Sequence, residues 1–130
     1  MDKHLTNLLN YGFTIAKHLL QEQSEFYPIA VYLNKNNEPL QHIVSFGDDF
    51  PLSTELIKQL ENDVVRLFGN EESLTYAIIY DTLVTKPSVE DKIDAIIAKF
   101  YSHLDKRTGY YFLPYQINED QVILLEGWVE

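Results

Sequence analysis

Apolar residues recur at helical spacing from Leu5 to Gln21, where Leu5, Leu8, Leu9, Phe13, Ala16 and Leu20 form one stripe that Ile15 and Leu19 widen. Such a stripe predicts an amphipathic helix. Gly12 interrupts it at a cost of about 1 kcal/mol relative to Ala and marks a point of close packing. The pattern stops by Ser24, ahead of Phe26-Tyr27-Pro28. Tyr27 to Leu33 then has almost no polar residue and is β-branched and aromatic, which suits a strand covered on both faces or at least half-buried. Asn34 to Pro39 is a turn by composition. Leu40, His42, Val44 and Phe46 next alternate with Gln41, Ile43 and Ser45, so two strands joined by a short polar link make a hairpin.

After the loop Gly47-Asp48-Asp49-Phe50-Pro51, Ser53 is the expected N-cap of a second helix, with Glu55 in its first turn and Leu52 and Ile57 placed as a hydrophobic staple. Leu56, Leu60, Val64, Leu67 and Phe68 carry its apolar stripe, and Gly69-Asn70 supplies the stop. Leu74, Tyr76, Ile78, Tyr80 and Thr82 alternate through a long strand that ends before Pro87. Residues 93 to 104 read two ways. Ser88 with Asp91 resembles a capping box, and Ile93, Ile96, Ile97, Phe100 and Leu104 sit at helical spacing. Yet Ile96, Ala98 and Phe100 also alternate with polar neighbours and lead through a turn at Asp105 to Gly109 into Tyr110-Tyr111-Phe112-Leu113-Pro114-Tyr115, as in a hairpin. The strand reading is favoured. A turn at Asn118-Glu119-Asp120 and a last strand from Val122 to Leu125 close the chain.

The alternation of elements predicts an α+β domain, two helices on one face of a mostly antiparallel sheet of five or six strands, in the order α-β-β-α-β-β-β-β. With 130 residues, no internal repeat and no Pro/Gly/Ser-rich linker, one domain spanning 1–130 is expected. The composition is 45% hydrophobic, far above that of a disordered chain.

Charge narrows the partners. The formal net charge is -10, from 20 acids against 10 bases. Such a domain repels phosphate backbones and anionic lipid, so nucleic acid and membrane are not the expected partners. The acids come in pairs, Asp48-Asp49, Glu71-Glu72, Glu90-Asp91 and Glu119-Asp120, which decorate loops. Cysteine is absent, which removes disulfides and zinc–thiolate sites. No signal peptide or bilayer-length apolar run stands out, and a cytoplasmic protein is expected.

Glu25-Phe26-Tyr27-Pro28, Asp94-Ala95-Ile96, His103 and Pro114-Tyr115, set in this order of elements, resemble a group of small bacterial proteins found among conflict and toxin-neutralising genes. In such sequences a Gly commonly follows the histidine closely, whereas here Gly109 lies six residues past His103. The resemblance carries over no functional residue.

Candidate chemistry is sparse. His4 and His18 lie fourteen residues apart on the first helix, about 21 Å along its axis, too far to share a metal. His42 with Asp48 and Asp49 reads as a strand histidine followed by a solvated acidic loop, and no metal or cofactor is expected. Neither Ser45 near Gly47 nor Thr108 before Gly109 has the flanks of an activated nucleophile. Asp81 interrupts a strand otherwise fit for burial: it either points outward near the strand end or is buried with a raised pKa. The remaining signal is aromatic. Tyr101, Tyr110, Tyr111 and Tyr115 gather on the last long hairpin and Trp128 follows, either as cross-strand pairs or as an exposed patch.

The sequence therefore favours a non-catalytic protein-interaction domain of the immunity type. Those five aromatics would meet a basic toxin across an acidic rim. A small enzyme or ligand-binding domain with a pocket around His42, Asp81 and His103 is the alternative. A homodimeric scaffold is the third.

Overall fold

The computed structural model describes residues 2–43, 52–68, 74–85 and 92–130. Along the chain run α1 (Lys3–Gln23), β1 (Ile29–Leu33), β2 (Pro39–His42), α2 (Ser53–Phe68), β3 (Tyr76–Thr85), β4 (Lys92–Ser102), β5 (Arg107–Asn118), β6 (Gln121–Leu124) and β7 (Trp128–Val129). The α+β class is that expected, and the order of elements matches it as far as β6; β7 is a seventh strand where five or six were expected. Val44, Phe46, Gly69-Asn70, Ser88 and Asp91 lie outside the described residues.

Residues 93 to 104 enter a strand and a turn. In β4 four consecutive residues, Ala95 to Ala98, are buried. A strand flanked by neighbours and covered on both faces does this, whereas a helix with one wet face does not. The turn after it spans His103 to Lys106, with Lys106 left-handed at φ 52°, and is shorter than the expected Asp105–Gly109. Gly109 instead lies inside β5 opposite Phe100, where a Cβ would stand 2.8 Å from the Phe100 ring. Glycine is needed there for a ring to sit on the backbone.

All pairings are antiparallel, in the spatial order β2-β1-β3-β4-β5-β6, with β7 also on β5. The register of β1 on β3 sets the layers. Ile29, Val31 and Leu33 point to one face with Ala77 and Ile79, and pack with Leu5, Leu8, Leu9, Phe13, Ala16 and Leu20 of α1. Ala30 and Tyr32 point to the other with Ile78, and pack with Leu60 and Val64 of α2. The helices thus lie on opposite faces, where the sequence reading had both on one. The reason is the apolar run of β1 itself, all five of whose residues are buried and so need cover on both sides. Gly12 lets α1 approach closely, since a Cβ there would stand 2.9 Å from Ile79 Cδ1 and 3.3 Å from Val31 Cγ2.

Local devices fix the helix ends. Asp2 is the N-cap of α1: its Oδ1 accepts from the Leu5 N–H at 2.8 Å, and its Oδ2 accepts from the buried Ser102 hydroxyl at 2.6 Å, tying the helix to the end of β4. Ser24 closes the helix in the left-handed region at φ 65°. At α2 the first turn's N–H groups donate to the Leu52 carbonyl, so Leu52 occupies the cap position and Ser53 is already helical. Leu52 is exposed and forms no staple. Leu67 also faces solvent.

Desolvation opposes ionisation of Asp2, but the hydrogen bonds from the Ser102 hydroxyl and from the Leu5 and His4 backbone N–H groups outweigh it and hold the carboxyl below its usual 3.8. A depressed carboxylate contributes stability above the unfolded value and loses it as pH falls through the folded one. Asp2→Ala is therefore expected to lower stability by about 1–2 kcal/mol at neutral pH. In paired thermal melts that difference should shrink on acidification below 3.8; a constant difference across the series would contradict this account.

Candidate functional site

On the face that carries α2, that helix packs on β1 and β3. Over the rest of the face the register brings aromatic side chains together: Tyr76 opposite Tyr101, Tyr80 opposite Ile97, Ile97 opposite Phe112, Lys99 opposite Tyr110, and Phe112 opposite Trp128. The rings contact one another in two groups. Tyr110 stacks on Phe112 at 6.2 Å between centroids, Phe112 on Trp128 at 5.1 Å and 11° between planes, and Tyr76 lies 5.9 Å from Tyr101. Offset stacks of this kind hold rings in place without a covering helix.

One polar pair crosses from α2 to this surface. Lys99 Nζ donates to Glu61 Oε1 at 2.6 Å, and that hydrogen bond, against some desolvation, raises the lysine's pKa. A cavity of about 450 Å³ opens beside the pair, lined by Glu61, Tyr76, Lys99, Tyr110 and Glu130 among others. Burial, with Tyr110 and Glu61 nearby, pushes the Tyr80 phenol up to about 12. Burial and Glu61 raise that of Tyr76 as well. The phenols are therefore neutral and available as donors. The indole Nε1 of Trp128 is buried with no hydrogen-bond partner among the described residues, a cost of about 1–3 kcal/mol that most proteins avoid.

The five aromatics singled out in the sequence split between the faces. Tyr101, Tyr110 and Trp128 belong to this surface, and Tyr110 is 38% exposed. Tyr111 and Tyr115 alternate to the α1 side. There Tyr111 lies 5.5 Å from the Phe13 ring and lines a groove of about 520 Å³ with Leu9, Phe13, Lys17, Leu113 and Leu124. Tyr115 is buried and its hydroxyl donates to Asp81 Oδ1 at 2.7 Å.

Asp81 is accordingly half-buried on the α1 side, facing the same way as Ile79 and Ile96 and not outward. Desolvation raises its pKa, the Tyr115 hydrogen bond works against this, and the Asp94 and Glu25 charges add to it. Burial and the Asp81 carboxylate raise the Tyr115 phenol in turn.

The residues of the alternative pocket are not brought together. His42 sits on edge strand β2, its Nε2 3.4 Å from Asp63 of α2. Asp81 lies on β3, on the opposite face. His103 is in the β4–β5 turn, where its backbone N–H donates to Thr75 Oγ1 and its Nδ1 lies 3.5 Å from Lys106 Nζ. Ile96, the cross-strand partner of Asp81, is seven residues from His103, about 23 Å along the strand. Among the described residues no group of three or more His, Asp or Glu is placed to hold a metal ion, and no helix is long and apolar enough to cross a membrane. No protein-family model, curated protein or solved structure matches the chain.

Sequence reasoning missed Tyr76, Tyr80, Lys99 and Glu61 as parts of the surface. The two tyrosines carried a signal, since they alternate with Ile78 on one side of β3. The Lys99–Glu61 pair spans 38 residues and carried none.

Asp81→Asn keeps an acceptor for the Tyr115 hydroxyl and removes the charge that burial and the two neighbouring acids disfavour. Because the folded pKa lies above 3.8, the penalty is present at pH above the folded value and is relieved as pH falls through it. The variant should melt higher than the parent at neutral pH, with the gap closing on acidification. A lower melting temperature at neutral pH would overturn this assignment.

Proposed function

We propose that the chain is a non-catalytic protein-binding domain of the immunity type, and that the aromatic surface of β4, β5 and β7 beside α2 receives a basic protein, a toxin in the resemblance noted above. The observation that carries this reading is the ring series from Tyr110 through Phe112 to Trp128, stacked and partly exposed. Tyrosine and tryptophan held in fixed orientation offer large contact area for little loss of side-chain freedom, and they dominate binding energy at protein interfaces. The net charge of -10 favours a basic partner through steering and through repulsion of acidic ones. Glu61 and Glu130 are among the residues that line the cavity in this surface.

The pocket reading needs His42, Asp81 and His103 to converge, and their places on three parts of the sheet do not favour it.

Co-expression of the chain with the products of its neighbouring genes tests the proposal. A basic neighbour should co-purify, and Tyr110→Ala should weaken the complex by roughly tenfold or more while leaving the melting temperature nearly unchanged. Association should also slow as ionic strength rises. No bound neighbour, together with turnover of a small molecule by the purified chain, would sink it.

A further inference from the structure

The groove between α1 and the strands β5 and β6 lies on the face away from the Tyr110 surface. It holds about 520 Å³, within the range of small-molecule sites. Thr6, Asn10, Phe13, Thr14 and Lys17 recur three or four residues apart along its α1 wall, so the groove follows one stripe of the helix for about 16 Å from Thr6 to Lys17. Its floor is apolar. Leu9 and Phe13 are buried, and the Tyr111 ring lies 5.5 Å from that of Phe13. Gly127 brings backbone against the same tyrosine, since a Cβ there would stand 2.5 Å from Tyr111 Cε1. That ring is thus fixed by Phe13 and by backbone, and the groove is formed before a ligand arrives.

The charge of the lining departs from that of the chain. Against 20 acids and 10 bases overall, the described residues that line the groove include no acid and one base, Lys17. By contrast, the cavities beside α2 include Glu61, and the one beside Tyr115 includes Asp94. Lys17 is half-buried and has no ion pair or hydrogen bond among the described residues, whereas Lys99 is held by Glu61. Its methylenes can follow apolar surface while the ammonium stays at the mouth. Gln21, one turn further along α1, accepts from the Val122 N–H, so Lys17 stands at the β6 end of the groove. The Thr6 and Thr14 hydroxyls are already engaged, donating to the Asp2 and Asn10 carbonyls at 3.0 and 2.7 Å.

We infer that this groove binds a straight-chain monocarboxylate of medium length, its carboxylate at the Lys17 ammonium and its chain along Phe13 and Leu9 towards Thr6. One ammonium matches one negative charge. A phosphate would call for a guanidinium fork or for free backbone N–H groups at a helix start, and Lys17 lies in the middle of α1, where the helix uses its own N–H groups. A cationic amphiphile is drawn to the chain by its net charge of -10 but meets Lys17 where its head would sit. The Tyr110 surface is on the opposite face, and the site stands whether or not that surface receives a protein.

The test is titration of the isotope-labelled chain with decanoate below its micelle concentration, followed by methyl NMR, with decyltrimethylammonium as the charge-reversed control. Decanoate is expected to shift the Leu9, Leu113 and Leu124 methyl resonances and to bind about tenfold tighter than the ammonium compound. Octanoate should bind roughly five- to fifteenfold more weakly than decanoate, the effect of two buried methylenes. Lys17→Met, which keeps an apolar stem, should weaken decanoate about tenfold and leave decyltrimethylammonium no weaker. Thr14→Trp, on the exposed rim, should fill the groove and abolish binding of both while the melting temperature stays near that of the parent. Tyr110→Ala should leave decanoate binding unchanged. Unmoved Leu9, Leu113 and Leu124 methyls at millimolar decanoate, decyltrimethylammonium binding as tightly as decanoate, or a Lys17→Met variant that binds decanoate as well as the parent would each overturn the inference.

Discussion

Burial of β1 and β3 from both sides is the constraint on which the rest of this protein depends. Ile29, Val31 and Leu33 alternate with Ala30 and Tyr32, and each set meets a different helix. A fully apolar strand cannot be satisfied by cover on one face, because half of its side chains would remain in water at roughly 1.5–3 kcal/mol each. Two helices on opposite faces solve this for β1 and for the neighbouring segment of β3. The long helix α1 extends its cover to Ile96, Ala98 and Phe100 of β4. The shorter α2 stays over β1 and β3, reaching β4 through Lys99 and Glu61.

That asymmetry generates the candidate surface. Beyond α2 the sheet substitutes rings for a helix: Tyr80 and Phe112 flank the buried Ile97 by register, and Tyr110 and Trp128 stack on Phe112. The arrangement leaves Tyr110 partly in water and the Trp128 N–H without an acceptor. Covering Tyr110 is a gain that a partner can supply; the Trp128 N–H is a cost internal to the fold. The return strand continues the same logic to the sheet edge, where Ile123 lies on the face of Phe112 and Trp128, and where a break at Gly127 admits close contact with Tyr111 and the Phe112 carbonyl.

Much of this was legible in the chain. The α1 stripe, its end at Ser24, the β5–β6 turn and the role of Gly12 as a close contact follow from periodicity and local conformational preference, which short-range physics decides. The unbroken run at β1 already implied cover on both faces. The one-face arrangement drawn from it underused that signal. What was not legible depended on pairs distant in sequence. Tyr111 and Tyr115 were grouped with Tyr110 because they are adjacent, but a strand sends neighbours to opposite faces, and the register decides which face is open. Asp81 turned inward because Tyr115, 34 residues later, supplies its hydrogen bond. The cap at Leu52 was misplaced by one residue, the ordinary limit of local capping rules.

Trp128 is the sole tryptophan of the chain and sits on the surface at issue, so fluorotryptophan places one fluorine label there. Fluorine NMR of the labelled chain, alone and with the basic partner recovered by co-expression, tests the central claim most directly. The account expects one resonance that moves when the basic partner is added and stays in place with an acidic protein of similar size. A resonance that stays fixed while the partner binds would contradict it.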